Sequence, residues 1–248
     1  MTSPVESARG FLDGVLGPVP PIDPSTAGLS LSTSAVPSPF LIQGRHARVS
    51  GDQRHPVGSV DLFRCGRVED FRLGAARAAN VLLFPGMCRR DFVGEAGVHM
   101  ETVVVAPELP LVVVQWSGDG EPVGSLDFRL RLHAYDAAAT VAPSGEAIAL
   151  VSGDQALVLR TEPVCLMTLE SEDPSAFRAS LTPTKPGTLS LVLAGGTATQ
   201  VRTALAAASH LTGHVIRAAR GPCADGLSLP LGISEVDDAF AWAQVRLR

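Results

Sequence analysis

The sequence predicts a mainly β protein, built as one large antiparallel β-sandwich with one or two helices near the C-terminus. From residue 27 to about residue 194, short runs alternate between apolar and polar side chains, which is typical of strands with one buried face. These runs recur about every ten residues and are separated by turn residues. Between them, no segment has a helical period long enough for a parallel crossover.

Residues 1–26 are rich in Pro, Ser and Gly and end in the proline-dense run 17–24. Because proline disfavours both helices and sheet ladders, we expect a tail or an extended strap there. Strands are then predicted at 29–32, 60–64, 98–105, 111–116, 126–133, 147–151, 156–159, 164–169 and 189–193. Turns are predicted at 117–120, 143–145 and 152–154.

Residues 111–114 are apolar without interruption, which predicts a strand covered on both faces, between two sheets. A helix is predicted near 198–212, capped by Thr197 and packed on the sandwich. Its apolar positions fall on one face: Val201, Leu205, Ala208 and Leu211.

Gly195 and Gly196 precede that helix and predict a tight turn. A glycine turn before a helix N-terminus can also bind phosphate. However, the segment lacks the lysine of a P-loop and the third glycine of a dinucleotide fingerprint, so the turn is the favoured interpretation.

A second amphipathic helix is predicted from Ser234, with Asp237 completing a capping box. Its apolar stripe, which continues to the last residues, is Val236, Ala239, Phe240, Ala243 and Leu247. We expect this helix to belong to a domain that the chain lacks, and an exposed stripe of this kind to promote self-association. The alternative is a helix docked on its own sandwich.

Composition excludes several classes of partner. The net charge is −5 with a pI near 5.7, and no Lys/Arg cluster marks a nucleic-acid or membrane surface. We find neither a signal peptide nor an apolar run of about 20 residues that could span a bilayer, so a cytoplasmic location is expected. The four cysteines, Cys65, Cys88, Cys165 and Cys223, are widely spaced, which favours reduced, partly buried thiols.

The predicted strand 126–133 carries the first candidate site. Asp127, Arg129, Arg131 and His133 share one face, while Phe128, Leu130 and Leu132 form the other. The charged face could hold a polar ligand such as a sugar, with Tyr135 at the strand end, or it could be the solvated side of a half-buried strand.

Residues 87–95 are predicted to form a charged loop between two strands, and Arg89 and Arg90 in it are the second pair of candidate ligand-binding residues. The six histidines have no metal-ligand spacing, so neither a metal nor a cofactor is predicted. The sequence contains no nucleophile motif, and a pair of catalytic carboxylates cannot be identified in it.

The stretch 234–247, with its acidic start and its Trp242-Ala243-Gln244 motif, resembles the opening barrel helix of bacterial glycogen-debranching (amylo-α-1,6-glucosidase) and glucoamylase-like glycoside hydrolases. The upstream order of many strands, a Gly195-Gly196 step and an Ala-rich helix fits the same family. Residues 131–135 are similar to a family strand at Arg131, Leu132 and Tyr135, whereas the family's Arg-Arg-Tyr-His-Gly-Leu-Leu signature is absent.

The resemblance implies an N-terminal, galactose-mutarotase-like β-supersandwich at 27–222, followed at 223–248 by a linker and the first helix of a missing catalytic α/α barrel. It implies no catalytic residue in this chain, a barrel-facing surface formed by Phe240, Trp242, Ala243 and Leu247, and an α-glucan or oligosaccharide as ligand of the whole protein. The alternatives are a stand-alone sugar epimerase or mutarotase, which could pair His99 with Glu101 or His133 with Glu95, and a carbohydrate-binding module.

Overall fold

A computed structural model describes residues 29–31, 40–51, 58–73, 77–84, 86–94, 97–118, 125–134, 137–142, 145–185 and 187–208. These residues form sixteen strands and one helix. The strands are β1 (Leu29–Leu31), β2 (Phe40–Gln43), β3 (Ala47–Gly51), β4 (Ser59–Leu62), β5 (Gly66–Leu73), β6 (Arg77–Phe84), β7 (Met87–Gly94), β8 (Gly97–Val105), β9 (Leu111–Gly118), β10 (Leu126–Leu132), β11 (Ala138–Val141), β12 (Ala147–Ser152), β13 (Gln155–Glu162), β14 (Cys165–Asp173), β15 (Ala176–Pro183) and β16 (Leu189–Thr197). The helix is α1 (Ala198–Ala208).

The strands form two antiparallel sheets. The nine-stranded sheet has the order β1-β6-β7-β8-β9-β16-β13-β12-β11, and the seven-stranded sheet has the order β14-β15-β10-β5-β4-β3-β2. The predicted antiparallel β-sandwich is therefore confirmed. Strands β12 and β13 are joined by a two-residue turn in which Gly153 has a φ of 59°, as the turn predicted at 152–154 requires.

The main core lies between the two sheets, because alternate side chains of each strand point towards the other sheet. In β10 these are the predicted apolar residues Phe128, Leu130 and Leu132. The rings of Phe128 and Phe71 on the neighbouring strand lie 5.2 Å apart in a tilted arrangement. This core fixes which side chains of β10 must face outward.

A second apolar cluster covers the outer face of the nine-stranded sheet. Val112 and Val114 point into the main core, whereas Leu111 and Val113 belong to the outer cluster, where α1 packs. Residues 111–114 are thus covered on both faces as predicted. The seven-stranded sheet covers one face, and the outer cluster with α1 covers the other. The prediction that residues 111–114 lie between two sheets is therefore wrong for the second face.

The helix begins with the predicted cap. Thr197 N donates to Gln200 Oε1 at 2.9 Å, and Gln200 N donates to Thr197 Oγ1 at 3.4 Å, which is a capping box. The predicted tight turn at Gly195 and Gly196 is wrong. Both residues continue β16, paired with β13, up to the helix.

Glycine is required there by close contacts. A Cβ atom on Gly195 would lie 3.0 Å from Cys65 Sγ, and Gly196 has a φ of 114°. The same segment contacts the seven-stranded sheet, since Cys65 Sγ accepts a hydrogen bond from Gly196 N at 3.3 Å. The absence of side chains at Gly195 and Gly196 therefore allows the two sheets to approach each other closely.

The N-terminal tail at 1–26, the linker and second helix at 223–248, and the end of the first helix beyond Ala208 lie outside the described residues, so the proposed domain boundaries stay predictions. Within the described part of the chain, no helix has the length and apolar character needed to cross a membrane.

Candidate functional site

The outer face of the seven-stranded sheet carries a dense set of charged side chains on six of its strands. We call it the charged face and define it by its arginines and carboxylates: Arg48, Asp61, Arg67, Glu69, Arg129, Arg131, Glu172, Asp173 and Arg178. The face exists because these positions alternate with core residues, such as Val60 and Val68, on the same strands. It differs sharply from the apolar outer face of the nine-stranded sheet.

Two of the candidate residues predicted from the strand pattern, Arg129 and Arg131, lie on this face, and Asp127 points to the same side of β10. Asp127 and His133 are exposed, whereas Arg129 and Arg131 are half-buried. Tyr135 lies outside the described residues. The shared face predicted for Asp127, Arg129 and Arg131 is thus confirmed, whereas His133 lies just past the end of β10. A role in binding stays a prediction for all four residues.

Glu172 links two arginines across the β10–β15 pair. Arg129 and Arg178 are register partners, and the carboxylate of Glu172 lies between their guanidinium groups. Its oxygens lie 2.5 Å from Arg129 Nε and 3.0 Å from Arg178 Nε. The hydrogen bond from Arg178, aided by the charge of Arg129, lowers the pKa of Glu172 below its ordinary value.

Asp61 forms a second cluster on the same face. Asp61 Oδ2 accepts hydrogen bonds from Arg48 NH2 at 3.0 Å and from Arg67 NH2 at 3.2 Å. The guanidinium group of Arg48 also lies 5.7 Å above the ring of Phe63. Although Asp61 points away from the main core, these long side chains leave it only 5 % exposed.

A shallow groove of about 290 Å³ lies beside the Glu172 cluster. It is lined by Asp70, Asp127, Phe128, Arg129, Glu172 and Arg178. The strand pairing between β5 and β10 shifts here, and Asp70 has a φ of 59°. Asp70 and Asp127 make no hydrogen bond or ion pair with other described residues.

The predicted loop at 87–95 is wrong, because Met87–Gly94 is the strand β7 of the nine-stranded sheet. Arg89 lies on the outer face of that sheet, with its NH2 3.8 Å from Asp91 Oδ1. Arg90 points the other way, into the main core. The candidate pair Arg89 and Arg90 is therefore not brought together with Arg129 and Arg131.

Arg90 is part of a fully buried cluster. Arg90 Nε donates to Glu101 Oε1 at 2.8 Å, Arg90 NH2 contacts the same oxygen, and Trp116 Nε1 donates to Glu101 Oε2 at 2.9 Å. All three side chains have essentially no exposed surface. Such a cluster is a structural unit, since a ligand in solution cannot reach any of its members.

This burial bears on both alternative functions. Glu101, one partner of the His99 pairing considered for an epimerase, is withdrawn from solvent and bonded on both oxygens. Trp116 is buried, so it offers no stacking platform for a sugar ring. Glu95 and Trp242 lie outside the described residues, as do Phe240, Ala243 and Leu247.

The cysteines match the thiol prediction where they are described: Cys65, Cys88 and Cys165 are free and buried. Burial raises the pKa of Cys65 to about 11 and that of Cys88 to about 12. Among the described residues, no group of three His, Cys, Asp or Glu side chains is placed to hold a metal ion.

Sequence reasoning missed most of the charged face. Asp61, Arg67, Glu172 and Arg178 lie on strands far apart in the sequence, and only the strand order places them beside β10. Each one occupies a polar position in an alternating run. That pattern predicts that the side chain points outward, but it does not predict which side chains of other strands lie beside it.

Three glycoside hydrolases are among the solved structures to which the chain is similar. A bacterial glucoamylase in complex with acarbose has a TM-score of 0.51 at 9% identity, over 82% of this chain and 39% of that chain. The sandwich therefore has a glucoamylase-like fold. A gh92 family glycosyl hydrolase has a TM-score of 0.46 at 12% identity, over 84% of this chain and 38% of that chain.

A glycoside hydrolase of family 81 from Clostridium thermocellum has a TM-score of 0.40 at 12% identity, over 75% of this chain and 27% of that chain. The glucoamylase-like sandwich thus spans well under half the length of each of these enzymes. No protein-family model and no curated protein matches the sequence.

Proposed function

We propose that this chain is the N-terminal sandwich domain of a carbohydrate-active protein of the glycogen-debranching and glucoamylase-like kind, and that it shapes the cleft of a catalytic α/α barrel. The observation that carries the proposal is the fold similarity to a bacterial glucoamylase, which covers 82% of this chain but only 39% of the enzyme. The remainder of such an enzyme would supply the barrel.

The chemistry of the described carboxylates supports a non-catalytic role. Glycoside cleavage needs one carboxylic acid that protonates the leaving oxygen and a second that acts as base or nucleophile in the same cleft. Glu172 is a poor proton donor near neutral pH, because Arg178 and Arg129 hold its pKa low. Glu101 is bonded to Arg90 and Trp116 in the core.

The charged face is the surface that we assign to the barrel or to the edge of its cleft. In this proposal Phe240, Trp242, Ala243 and Leu247 belong to the first barrel helix, the protein acts on an α-glucan or oligosaccharide, and it works in the cytoplasm. The groove beside Glu172 supports the assignment, since it gives the face a concave region with polar walls.

The test is glucose release from maltose, panose and glycogen. The purified chain alone should give only background release, whereas the chain extended through the coding sequence downstream of Arg248 should release glucose. Turnover that scales with the chain alone and disappears in Asp127→Asn, which changes an exposed carboxylate of the groove, would contradict the proposal. So would a gene in which no barrel-encoding sequence follows.

A further inference from the structure

The charged face contains two pairs of arginines that lie directly opposite each other on neighbouring strands. Arg129 is the register partner of Arg178 across β10 and β15. One row further along β10, Arg131 is the register partner of Arg67 across β5. Like charges directly opposite each other in a sheet are destabilising unless an anion neutralises them.

The first pair contains its own anion. Glu172 lies within hydrogen-bond distance of the Nε atoms of both Arg129 and Arg178. One carboxylate thus lies between two guanidinium groups and offsets their mutual repulsion.

The second pair has no such bridge. Arg67 and Arg48 both donate a hydrogen bond to the same oxygen of Asp61, Oδ2. Glu69 lies 3.9 Å from Arg67 NH1, beyond hydrogen-bond distance.

Arg131 donates no hydrogen bond to any described residue. The nearest carboxylate oxygen, Asp173 Oδ2, is 3.9 Å from its NH2. The other oxygen of Asp173 is already used, because Ser175 N and Ser175 Oγ donate to it at 2.8 and 2.9 Å. These bonds, first the one from the backbone N–H, lower the pKa of Asp173 and keep its carboxylate turned towards Ser175.

Both arginines of the second pair also have an unsatisfied donor. The Nε atoms of Arg67 and Arg131 are withdrawn from solvent and have no hydrogen-bond partner. Arg129 Nε in the first pair has no well-aligned hydrogen bond either, but a carboxylate oxygen of Glu172 lies 2.5 Å from it, whereas no carboxylate oxygen lies as close to Arg131. The rest of the two side chains is accessible, at 39% and 42% exposure. A buried donor without a hydrogen-bond partner lowers the stability of the folded protein. The terminal nitrogens of both arginines stay accessible to a ligand that approaches from solvent.

We propose that Arg67 and Arg131 form a binding site for the carboxylate or phosphate group of a small anionic ligand. The oxyanion would bridge the two guanidinium groups, as Glu172 bridges Arg129 and Arg178 one row away. Exposed His133 follows Arg131 by two residues, just past the end of β10. The site does not depend on the proposed function, because it is argued from this chain's own side chains.

Isothermal titration with inorganic phosphate, glucuronate and uncharged glucose tests the site, at constant ionic strength so that general screening is equal. Wild type should bind phosphate, glucuronate or both with saturation, and should not bind glucose. Comparing the two anions identifies whether the site prefers a phosphate or a carboxylate. Arg131→Gln and Arg67→Gln should each weaken the binding by about tenfold, the loss expected for one charge-assisted hydrogen bond.

Arg45→Gln is the matched control, because Arg45 forms an exposed ion pair with Glu108 at 3.2 Å, away from the charged face. It should leave the affinity within about twofold of wild type. Arg131→Lys retains the charge but not the planar fork, so it should bind more weakly than wild type even if Arg131→Gln folds poorly. Anion binding that is absent in wild type, or equal in Arg131→Lys and wild type, would overturn the proposal.

Discussion

The two sheets of the sandwich differ in how many of their faces are buried. Both faces of the nine-stranded sheet are covered, since Val112 points into the main core and Val113 points into the apolar cluster beneath α1. In the described part of the chain the seven-stranded sheet is covered on one face: Leu130 lies in the core, while Arg129 and Arg131 face outward. Substitutions in the first sheet should therefore reduce stability, whereas those on the charged face should mainly alter binding.

The same pairing of arginine with glutamate occurs in both sheets, in opposite environments. Glu101 in the nine-stranded sheet is fully buried, and Arg90 and Trp116 satisfy both of its oxygens. Glu172 lies on the charged face, where water screens its contacts with Arg129 and Arg178. A buried ion must be fully paired, whereas a surface ion pair adds little to stability.

The largest effect is expected for Glu101→Ala, because it removes the buried carboxylate that accepts hydrogen bonds from both Arg90 and Trp116 between the sheets. The free energy of unfolding should fall by about 3–5 kcal/mol, measured by urea denaturation. Glu108→Ala removes a carboxylate from an exposed ion pair and should cost less than about 1 kcal/mol. Equal losses in the two variants would refute the contrast between buried and exposed ion pairs.

A double substitution sharpens this contrast. Arg90→Met combined with Glu101→Met replaces the pair by apolar side chains of similar volume, so no charge is left unpaired. The double variant should be more stable than Glu101→Ala alone, as judged from the same urea transitions. A double variant that loses as much as the single one would show that packing around Trp116, rather than the charge, dominates the cost.

A smaller loss is expected under the helix. Leu205 is 6 % exposed in the apolar cluster that covers the nine-stranded sheet, so Leu205→Ala should cost about 2–4 kcal/mol. Thr203 is an exposed position of the same helix, and Thr203→Ala should leave the midpoint unchanged or raise it slightly. If Leu205→Ala left the urea midpoint at the wild-type value, α1 could not be a stabilising cover of this sheet.

Much of the fold could be predicted because alternation marks a strand with one buried face. The outward row of Asp127, Arg129 and Arg131 was found in this way, and so was the cap at Thr197. The strand Met87–Gly94 was missed since Arg89, Arg90 and Asp91 give three charged residues in succession, although one of them lies in the core. A buried arginine breaks the polar pattern, and its partner Glu101 belongs to another strand.

The Gly195-Gly196 pair was misassigned for a related reason. Two glycines typically form a turn, but here Gly195 makes room for Cys65 of the other sheet. The opposing arginines Arg67 and Arg131 were also beyond sequence reasoning, because their pairing depends on the register between β5 and β10. Contacts between strands distant in sequence need the three-dimensional arrangement.

The smallest effect is expected on the charged face, and it should depend on pH. The bonds from Arg178 and Arg129 lower the pKa of Glu172 in the folded protein relative to the unfolded chain. A carboxyl group of this kind contributes stability above its unfolded pKa of about 4.3 and loses that contribution as the pH falls through its folded pKa.

Glu172→Gln should therefore lower the unfolding midpoint slightly near neutral pH, and the difference from wild type should shrink as the pH falls below about 4. Urea transitions measured from pH 7 to pH 3 give this difference directly.

Glu170→Gln is the control, because it removes one negative charge from the same strand. Glu170 is exposed and has no ion pair with other described residues, so its difference from wild type should be smaller at neutral pH. A Glu172→Gln difference that grew towards low pH would have the wrong sign for a carboxylate stabilised by two arginines. A difference equal to that of Glu170→Gln would mean that removal of a surface charge, and not the bridge between Arg129 and Arg178, accounts for the effect.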